Sequence, residues 1–158
     1  MPTSVLFVCT GNICRSPTAE AVMRTRVAAA GLDGAVAVDS AGTHGYHVGE
    51  PPDARSVAAG QLRGYDFTGQ RARRLSARDF ETFDLILALD RSHMAAMERA
   101  RPAKSAAKLS LLMDFAPDAG TRDVPDPYYG GRHGFEHTLD LIEAAVDGLI
   151  DAIRSGSV

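Results

Sequence analysis

Cysteine, aromatic residues and excess charge are all scarce in this sequence. Two cysteines in 158 residues are too few for a disulfide scaffold, and no second cluster of cysteine and histidine completes a zinc site. The net charge of -3 gives no overall attraction to nucleic acid. No apolar run is long enough to span a membrane, and the N-terminus lacks the basic start of a signal peptide. We therefore expect a cytoplasmic protein without a metal, nucleic-acid or membrane partner, with secretion independent of a signal peptide left open.

The rest of the composition is ordinary for a globular protein. Apolar residues make up 45% of the chain and charged residues 23%, which are usual proportions. A chain of 158 residues is large enough to bury a core, and no linker, repeat or low-complexity segment divides it. We expect a single domain that covers residues 1–158, with a monomer as the default state.

Four short apolar runs are predicted to form β-strands, at residues 5–8, 36–38, 85–89 and 108–112. The first run is continuous rather than alternating, as in a strand that is covered on both faces. Residues 39–42 are predicted as a loop, and residues 114–134 as a longer one, because turn-forming residues dominate both. Since helical segments separate the strands, the expected fold is α/β, with a parallel sheet flanked by helices on both faces.

Capping signals predict where the helices begin and end. Ser16 is predicted as the N-cap of the helix after the first strand, because a proline follows it, and Gly31 as the end of that helix. Three more helix starts are predicted, at Pro52-Asp53, Ser76 and Asp90. A long final helix is predicted from an apolar stripe in residues 135–153.

The segment between the first strand and the first helix carries the chemistry. It reads Cys9-Thr10-Gly11-Asn12-Ile13-Cys14-Arg15-Ser16. In a loop bent between a strand and a helix N-terminus, backbone N–H groups converge and the helix dipole adds partial positive charge, which suits a phosphate. Arg15 adds a planar fork that can hold two phosphate oxygens. Residues 10–15 are therefore predicted to bind phosphate, although the Gly-Lys-Ser/Thr ending of the nucleotide-binding P-loop is missing.

Cys9 is predicted to be a nucleophile at the mouth of this loop. The alternative is a small buried residue that only fills space. Helix N-termini and nearby cations stabilise the thiolate form of cysteine, which is the nucleophilic form. Ser16 is placed in sequence to donate its hydroxyl to the sulfur. Ligands bind beyond the carboxyl ends of strands in folds of this class, and Cys9 follows the first strand, so location and chemistry agree.

Asp126 is predicted to be the general acid. A thiolate does not expel a tyrosine phenolate efficiently unless the bridging oxygen is protonated, because phenol has a pKa of about 10. The late segment Asp126-Pro127-Tyr128-Tyr129 offers a carboxyl for this step, and the proline biases Asp126 toward extended backbone. Asp-Pro alone is a common turn signal. Together with the cysteine loop, it favours an acid.

Four segments resemble the low-molecular-weight protein tyrosine phosphatase family, at residues 8–20, 39–43, 48–53 and 126–130. The likeness spans nearly the whole chain. It implies a four-stranded parallel sheet, no metal or other cofactor, and a two-step reaction on phosphotyrosine-containing proteins and small aryl phosphates. Cys9 would form a phosphocysteine while Asp126 protonates the leaving group. Asp126 would then activate the water that releases phosphate, which is the product and an expected inhibitor.

The resemblance also implies roles for residues around the loop. Asn12 would hold the loop in a strained shape, and Ser40 would hydrogen-bond to Asn12. Gln70 lies where many relatives have a histidine that supports this network, so we expect altered rigidity rather than lost activity. The rim of the substrate slot would be formed by Ile13, Tyr46, Tyr128 and Tyr129, because aromatic walls suit a phenyl ring.

The two cysteines would also form a reversible disulfide on oxidation, if the resemblance extends to redox behaviour. A reactive thiolate with a second thiol nearby is the usual arrangement of a redox sensor, and the disulfide would protect Cys9 from further oxidation. Space filling beneath the loop is an equal alternative for Cys14.

Three other functions fit parts of the pattern. Phosphoarginine phosphatases resemble this chain in the loop, but they have threonine at the position of Ile13 and phenylalanine at that of Tyr128. An arsenate reductase needs further cysteines to relay a disulfide, and this chain has none beyond Cys14. A catalytically silent anion-binding module would need neither Cys9 nor Asp126. Hydrolysis of phosphotyrosine is therefore the predicted function.

Overall fold

The computed structural model describes residues 3–127 and 131–158. Its sheet has four parallel strands in the order β2-β1-β3-β4: β1 (Thr3–Cys9), β2 (Val36–Gly42), β3 (Leu85–Ala88) and β4 (Lys108–Leu111). The predicted α/β fold with a four-stranded parallel sheet is confirmed. Because β1 is an inner strand, the loop that follows Cys9 leaves the sheet at the middle of its carboxyl edge.

In the described ranges, the helices around this sheet are α1 (Arg15–Ala29), α2 (Ala54–Gln61), α3 (Asp79–Thr82), α4 (Arg91–Ala100) and α5 (Gly131–Ser155). Short 3₁₀ turns at Leu112–Phe115 and Pro117–Ala119 follow β4. The predicted helix starts at Asp53 and Asp90 are confirmed, since both carboxylates cap their helices by accepting backbone N–H groups.

The alternation of side chains along β1 builds a core on each face of the sheet. Val5 and Phe7 pack in one apolar cluster with residues of α1 and α5, such as Val22 and Ile142. Leu6 and Val8 point the other way, into a second cluster that contains Phe80 of α3 and Met97 of α4. Both faces of β1 are therefore covered, which explains why its apolar run is continuous.

Two sequence predictions about local structure are wrong for a shared reason. Residues 39–42 are not a loop but the second half of β2, where they pair in register with residues 6–9 of β1. Ser16 is not the N-cap of α1, because that helix begins at Arg15 after Cys14, and the Ser16 hydroxyl lies instead beside Cys9 and Asn12. In both places tertiary partners override a local propensity for turns or caps.

Smaller corrections concern Ser76 and the late loop. Helix α3 begins at Asp79, and Ser76 donates its backbone N–H and its hydroxyl to the Asp79 carboxylate instead of capping the helix. The segment predicted as a loop, 114–134, contains the end of the 3₁₀ turn Leu112–Phe115, the whole of the turn Pro117–Ala119 and the first residues of α5. None of the helices in the described ranges is both long and apolar enough to cross a membrane.

Candidate active site

A cavity of about 290 Å³ opens at the carboxyl end of β1. It is lined by Cys9, Thr10, Gly11, Ile13, Cys14, Arg15, Tyr46, His47 and Asp126. The structure therefore brings the predicted acid, Asp126, to the same cavity as the nucleophile and the arginine, although Asp126 is far from both in sequence. A larger groove of about 780 Å³ lies near Glu20 and Gln70, but neither Cys9 nor Arg15 lines it.

The loop has an unusual backbone that leaves its amides available. Asn12 has a φ of 58°, the left-handed conformation that non-glycine residues seldom adopt. Gly42 allows β2 to approach the loop, since a Cβ there would lie 2.8 Å from the Thr10 carbonyl oxygen. Within the described ranges, no backbone N–H of residues 10–14 donates a hydrogen bond to the protein. These amide N–H groups can therefore donate hydrogen bonds to an anion bound in the loop.

A chain of hydrogen bonds leads from the Cys9 sulfur into the protein. The Ser16 hydroxyl lies 2.9 Å from the sulfur, and Asn12 Nδ2 donates to that hydroxyl at 2.8 Å. The same Asn12 amide donates to Ser40 Oγ at 3.0 Å, and Ser40 donates onward to the Glu20 carboxylate at 2.7 Å. Because the carboxylate only accepts, it fixes the direction of the Ser40 hydroxyl and leaves its oxygen to receive the Asn12 proton.

Arg15 is buried, with only 6% of its side chain exposed, and hydrogen bonds fix its position. Its Nη1 donates to Asp90 Oδ2 at 2.8 Å and to the Val124 carbonyl at 3.0 Å. Its Nη2 lies at the cavity, 3.8 Å from Asp126 Oδ2. One edge of the guanidinium is thus anchored and the other is presented to a ligand, which suits oriented binding of phosphate.

The rim of the cavity is described only in part. Tyr46 is 72% exposed and stacks on His44, with ring centroids 4.9 Å apart. Ile13 and Tyr46 line the cavity as expected for rim residues. His47 lines it as well, which the sequence did not indicate. Tyr128 and Tyr129, the other two predicted rim residues, lie outside the described residues.

Cys14 is a free thiol, like Cys9, and both are buried. Burial raises the pKa of Cys14 to about 12, and the negative charges of Asp53 and Cys9 act in the same direction. Cys14 is therefore a neutral thiol at neutral pH. Cys14 lines the same cavity as Cys9.

Besides His47, three residues of the site were not identified as such from the sequence. Asp90 was predicted only as a helix cap, yet its second carboxylate oxygen anchors Arg15. His93 contacts Thr10, and Glu20 ends the chain from Ser40. The position of Asp90 in the sequence could have predicted its role. Asp90 follows β3, and the carboxyl ends of adjacent parallel strands lie at the same edge of a sheet.

Gln70 occupies a different place from the one expected. Its amide Nε2 donates to the Pro17 carbonyl at 3.0 Å, in the first turn of α1, and its buried Oε1 has no hydrogen-bond partner among the described residues. It supports the helix that follows the loop rather than the side chains of Asn12 and Ser40. Across residues 3–127 and 131–158, no group of three or more His, Cys, Asp or Glu side chains is arranged to hold a metal ion.

Comparisons with known proteins found similar proteins over nearly the whole chain. The family described as low molecular weight phosphotyrosine protein phosphatase matches residues 4–157. A low molecular weight protein-tyrosine-phosphatase of Streptomyces coelicolor is 50% identical over 157 residues, which cover 98% of this chain and 95% of the relative. A crystal structure of a protein tyrosine phosphatase from Entamoeba histolytica, with Hepes in the active site, superposes with a TM-score of 0.94 at 38% identity and covers 99% of each chain. The crystal structure of a Drosophila arginine phosphatase superposes with a TM-score of 0.87 at 32% identity, covering 94% of this chain and 96% of the other.

Proposed function

Because this chain belongs to the low molecular weight phosphotyrosine protein phosphatase family, we propose that Cys9, Arg15 and Asp126 hydrolyse phosphotyrosine through a phosphocysteine intermediate. Family membership makes the chain a protein-tyrosine-phosphatase, a phosphoric monoester hydrolase whose substrates are phosphoproteins. The observation that supports the residue roles is the convergence of one sulfur, one anchored guanidinium and one carboxyl on a single small cavity.

In the first step, the Cys9 sulfur attacks phosphorus on the side opposite the bridging oxygen. The S–P bond forms as the P–O bond breaks, and Asp126 gives its proton to the departing tyrosine oxygen. The amides of residues 10–14 and the Nη2 edge of Arg15 hold the three remaining phosphoryl oxygens, where charge accumulates in the transition state. The products of this step are a neutral tyrosine side chain and a phosphocysteine.

In the second step, water attacks the phosphorus of the phosphocysteine. Asp126, now a carboxylate, takes a proton from that water, and the P–S bond breaks to give phosphate and the Cys9 thiolate. The Ser16 hydroxyl supports both steps, because a donor 2.9 Å from the sulfur stabilises the thiolate before attack and as a leaving group.

Phosphotyrosine, rather than phosphoarginine, is the proposed substrate. Ile13 and Tyr46 provide an apolar edge and an aromatic surface at the cavity mouth, which suit a phenyl ring. The guanidinium group of phosphoarginine would lie near the positively charged Arg15, and the repulsion between the two cations would disfavour its binding. Direct comparison of turnover on a phosphotyrosine peptide and a phosphoarginine peptide tests this choice, and faster turnover of phosphoarginine would reverse it.

Cys9→Ser is the direct test of the mechanism. We expect no measurable turnover of p-nitrophenyl phosphate by this variant, and an acid-quenched reaction of the parent should carry phosphorus on the peptide that contains Cys9. Ser110→Ala, on the edge strand β4, is a control for substitution at a site away from the cavity. Parent-like turnover by Cys9→Ser, or phosphorus bound to another residue, would disprove the assignment.

The proposed redox role of Cys14 follows from the same cavity. Peroxide would convert the Cys9 thiolate to a sulfenic acid, and the Cys14 thiol would then displace water to give a disulfide. The raised pKa of Cys14 keeps it protonated, so this second reaction should be slow at neutral pH. In Cys14→Ala, excess peroxide would oxidise the Cys9 sulfenic acid further to a sulfinic acid, which thiols do not reduce. After such treatment, we expect dithiothreitol to restore the parent but not Cys14→Ala; equal recovery of both would contradict the protective role.

We further propose that residues 1–158 act as one monomeric domain in the cytoplasm. One sheet with one core on each face supports a single domain. Light scattering on the purified chain tests the monomer, and cell fractionation tests the location.

A further inference from the structure

His93 is buried beside the phosphate loop although the proposed mechanism does not use it. Only 2% of the residue is exposed, and it lies at the start of α4. Its Nδ1 accepts the backbone N–H of Asp90 at 3.2 Å, and its Nε2 lies 2.8 Å from Thr10 Oγ1. The imidazole therefore connects the cap of α4 to the first residue of the loop.

The hydrogen bonds of His93 determine which nitrogen carries the proton. Burial, and next the charge of Arg15, lower the pKa of His93 to about 4, so the ring is neutral at neutral pH. Because Nδ1 accepts the Asp90 N–H, the single ring proton resides on Nε2. Asp90 Oδ1, which also lies near Nδ1, already accepts from the His93 amide and the Ser92 hydroxyl. Arg15 Nη2 also lies near Nε2, at 3.5 Å, but Thr10 Oγ1 is much nearer at 2.8 Å, so the Nε2–H group donates to Thr10 Oγ1.

The direction of that hydrogen bond leaves the Thr10 proton available. Thr10 Oγ1 accepts from His93, and Arg15 Nη2, which can only donate, lies 3.5 Å from the same oxygen. With both neighbours acting as donors, the hydroxyl proton must point to a third group. Thr10 lines the cavity next to Cys9 and Arg15, where the phosphoryl group would lie.

We propose that His93 is a positioning residue for the phosphate site, because its Nε2–H turns the Thr10 hydroxyl proton toward a phosphoryl oxygen bound in the cavity. This assignment rests on the proposed function and adds one side-chain donor to it. It also gives Asp90 a joint role, since the same residue anchors Arg15 through its carboxylate and orients His93 through its backbone N–H.

Substitutions of His93 that replace only one of its two ring nitrogens can distinguish the positioning of Thr10 from a purely structural role in capping α4. In His93→Asn, the amide oxygen overlaps Nδ1 and keeps the helix cap, but the contact with Thr10 is lost. In His93→Gln, the amide nitrogen reaches the position of Nε2 and restores a donor to Thr10. Thr10→Val removes the hydroxyl without a change of shape. His137→Asn, at an exposed position of α5, is the matched control.

The measured quantity is the inhibition constant of inorganic phosphate, together with kcat/KM for p-nitrophenyl phosphate. We expect Thr10→Val and His93→Asn each to weaken phosphate binding by about fivefold to tenfold, the loss of one hydrogen bond to a charged group. His93→Gln should stay within about twofold of the parent, and the double variant Thr10→Val/His93→Asn should be no weaker than Thr10→Val alone.

Two outcomes overturn the proposal: parent-like phosphate binding in Thr10→Val, or additive losses in the double variant. If His93→Asn does not fold, Thr10→Val and His93→Gln still decide, because a Gln variant as weak as Thr10→Val would also contradict it. The two proposals can fail separately. If the parent is active and Cys9→Ser is inactive, the proposed phosphatase mechanism stands even when the His93 and Thr10 variants contradict the positioning role.

Discussion

The Ser16 hydroxyl oxygen lies 2.9 Å from the sulfur of Cys9. Asn12 donates to the same oxygen, so the hydroxyl proton of Ser16 is free to point at the sulfur. The other acceptor near this hydroxyl, the Ala41 carbonyl, is farther away at 3.4 Å. A sulfur that receives such a proton is stabilised as a thiolate, and four predictions follow from the groups that surround it.

Ser16→Ala should slow both the chemistry and the alkylation of Cys9. Without the hydroxyl, the negative charge on sulfur loses its nearest side-chain donor, and we expect kcat to fall by about 10-fold to 100-fold. The rate of iodoacetamide alkylation at pH 6 should fall in parallel. Ser110→Ala is the matched control on β4. An unchanged alkylation rate in Ser16→Ala would exclude this role.

Asn12 contributes through its backbone and its side chain, and two variants separate them. Asn12→Gly keeps the left-handed backbone at φ 58° but loses three hydrogen bonds, to Ser16, Ser40 and the Arg73 N–H. Asn12→Ala loses the same bonds and adds about 1 kcal/mol of backbone strain. We expect both variants to be destabilised in urea, with Asn12→Ala the less stable by about that amount. Equal stability of the two would mean that the loop relaxes.

Asp126→Asn should impair poor leaving groups more than good ones. The amide cannot protonate the departing oxygen, so we expect turnover of phenyl phosphate to fall by about 100-fold or more. The fall for p-nitrophenyl phosphate should be several times smaller, because its leaving group is a far weaker base. The ratio of the two rates is the measurement. A parent-like ratio would assign proton transfer to another group.

His93 should make the folded state sensitive to acid. Burial and Arg15 lower its pKa to about 4 from a usual 6.5, while Asp90 and Asp126 oppose the shift and His44 reinforces it. Between these values the unfolded chain binds a proton at His93 that the folded chain does not. The related stability is thus fully present above pH 6.5 and is lost as the pH falls toward 4.

Urea unfolding at pH 7 and pH 5 measures this effect. From His93 alone, we expect the parent to lose about 2 kcal/mol of unfolding free energy over that interval. His93→Gln should lose less by that amount, whereas His137→Gln, at an exposed position, should behave as the parent. Equal acid sensitivity of His93→Gln and the parent would contradict the lowered pKa.

Local sequence was a good guide wherever neighbours in the chain also became neighbours in space. The strand–loop–helix unit around Cys9 was predicted because its turn residues and its buried run are contiguous. The caps at Asp53 and Asp90 were predicted because a cap is a contact within a few residues. The N-cap prediction failed at Ser16, because its hydroxyl lies beside the Cys9 sulfur and the Asn12 amide rather than at the helix backbone; the contact with the sulfur was itself predicted.

The sequence by itself determined the kind of chemistry, because one short loop contains the thiol, the guanidinium and the amides that hold an anion. Only the tertiary structure decided how these groups are oriented. Strand order places β3 beside β1, so that Asp90 anchors Arg15 and His93 reaches Thr10 across 83 positions of the chain. Strand neighbours are chosen by which apolar faces can be buried together, and that choice depends on the whole chain rather than on any one segment.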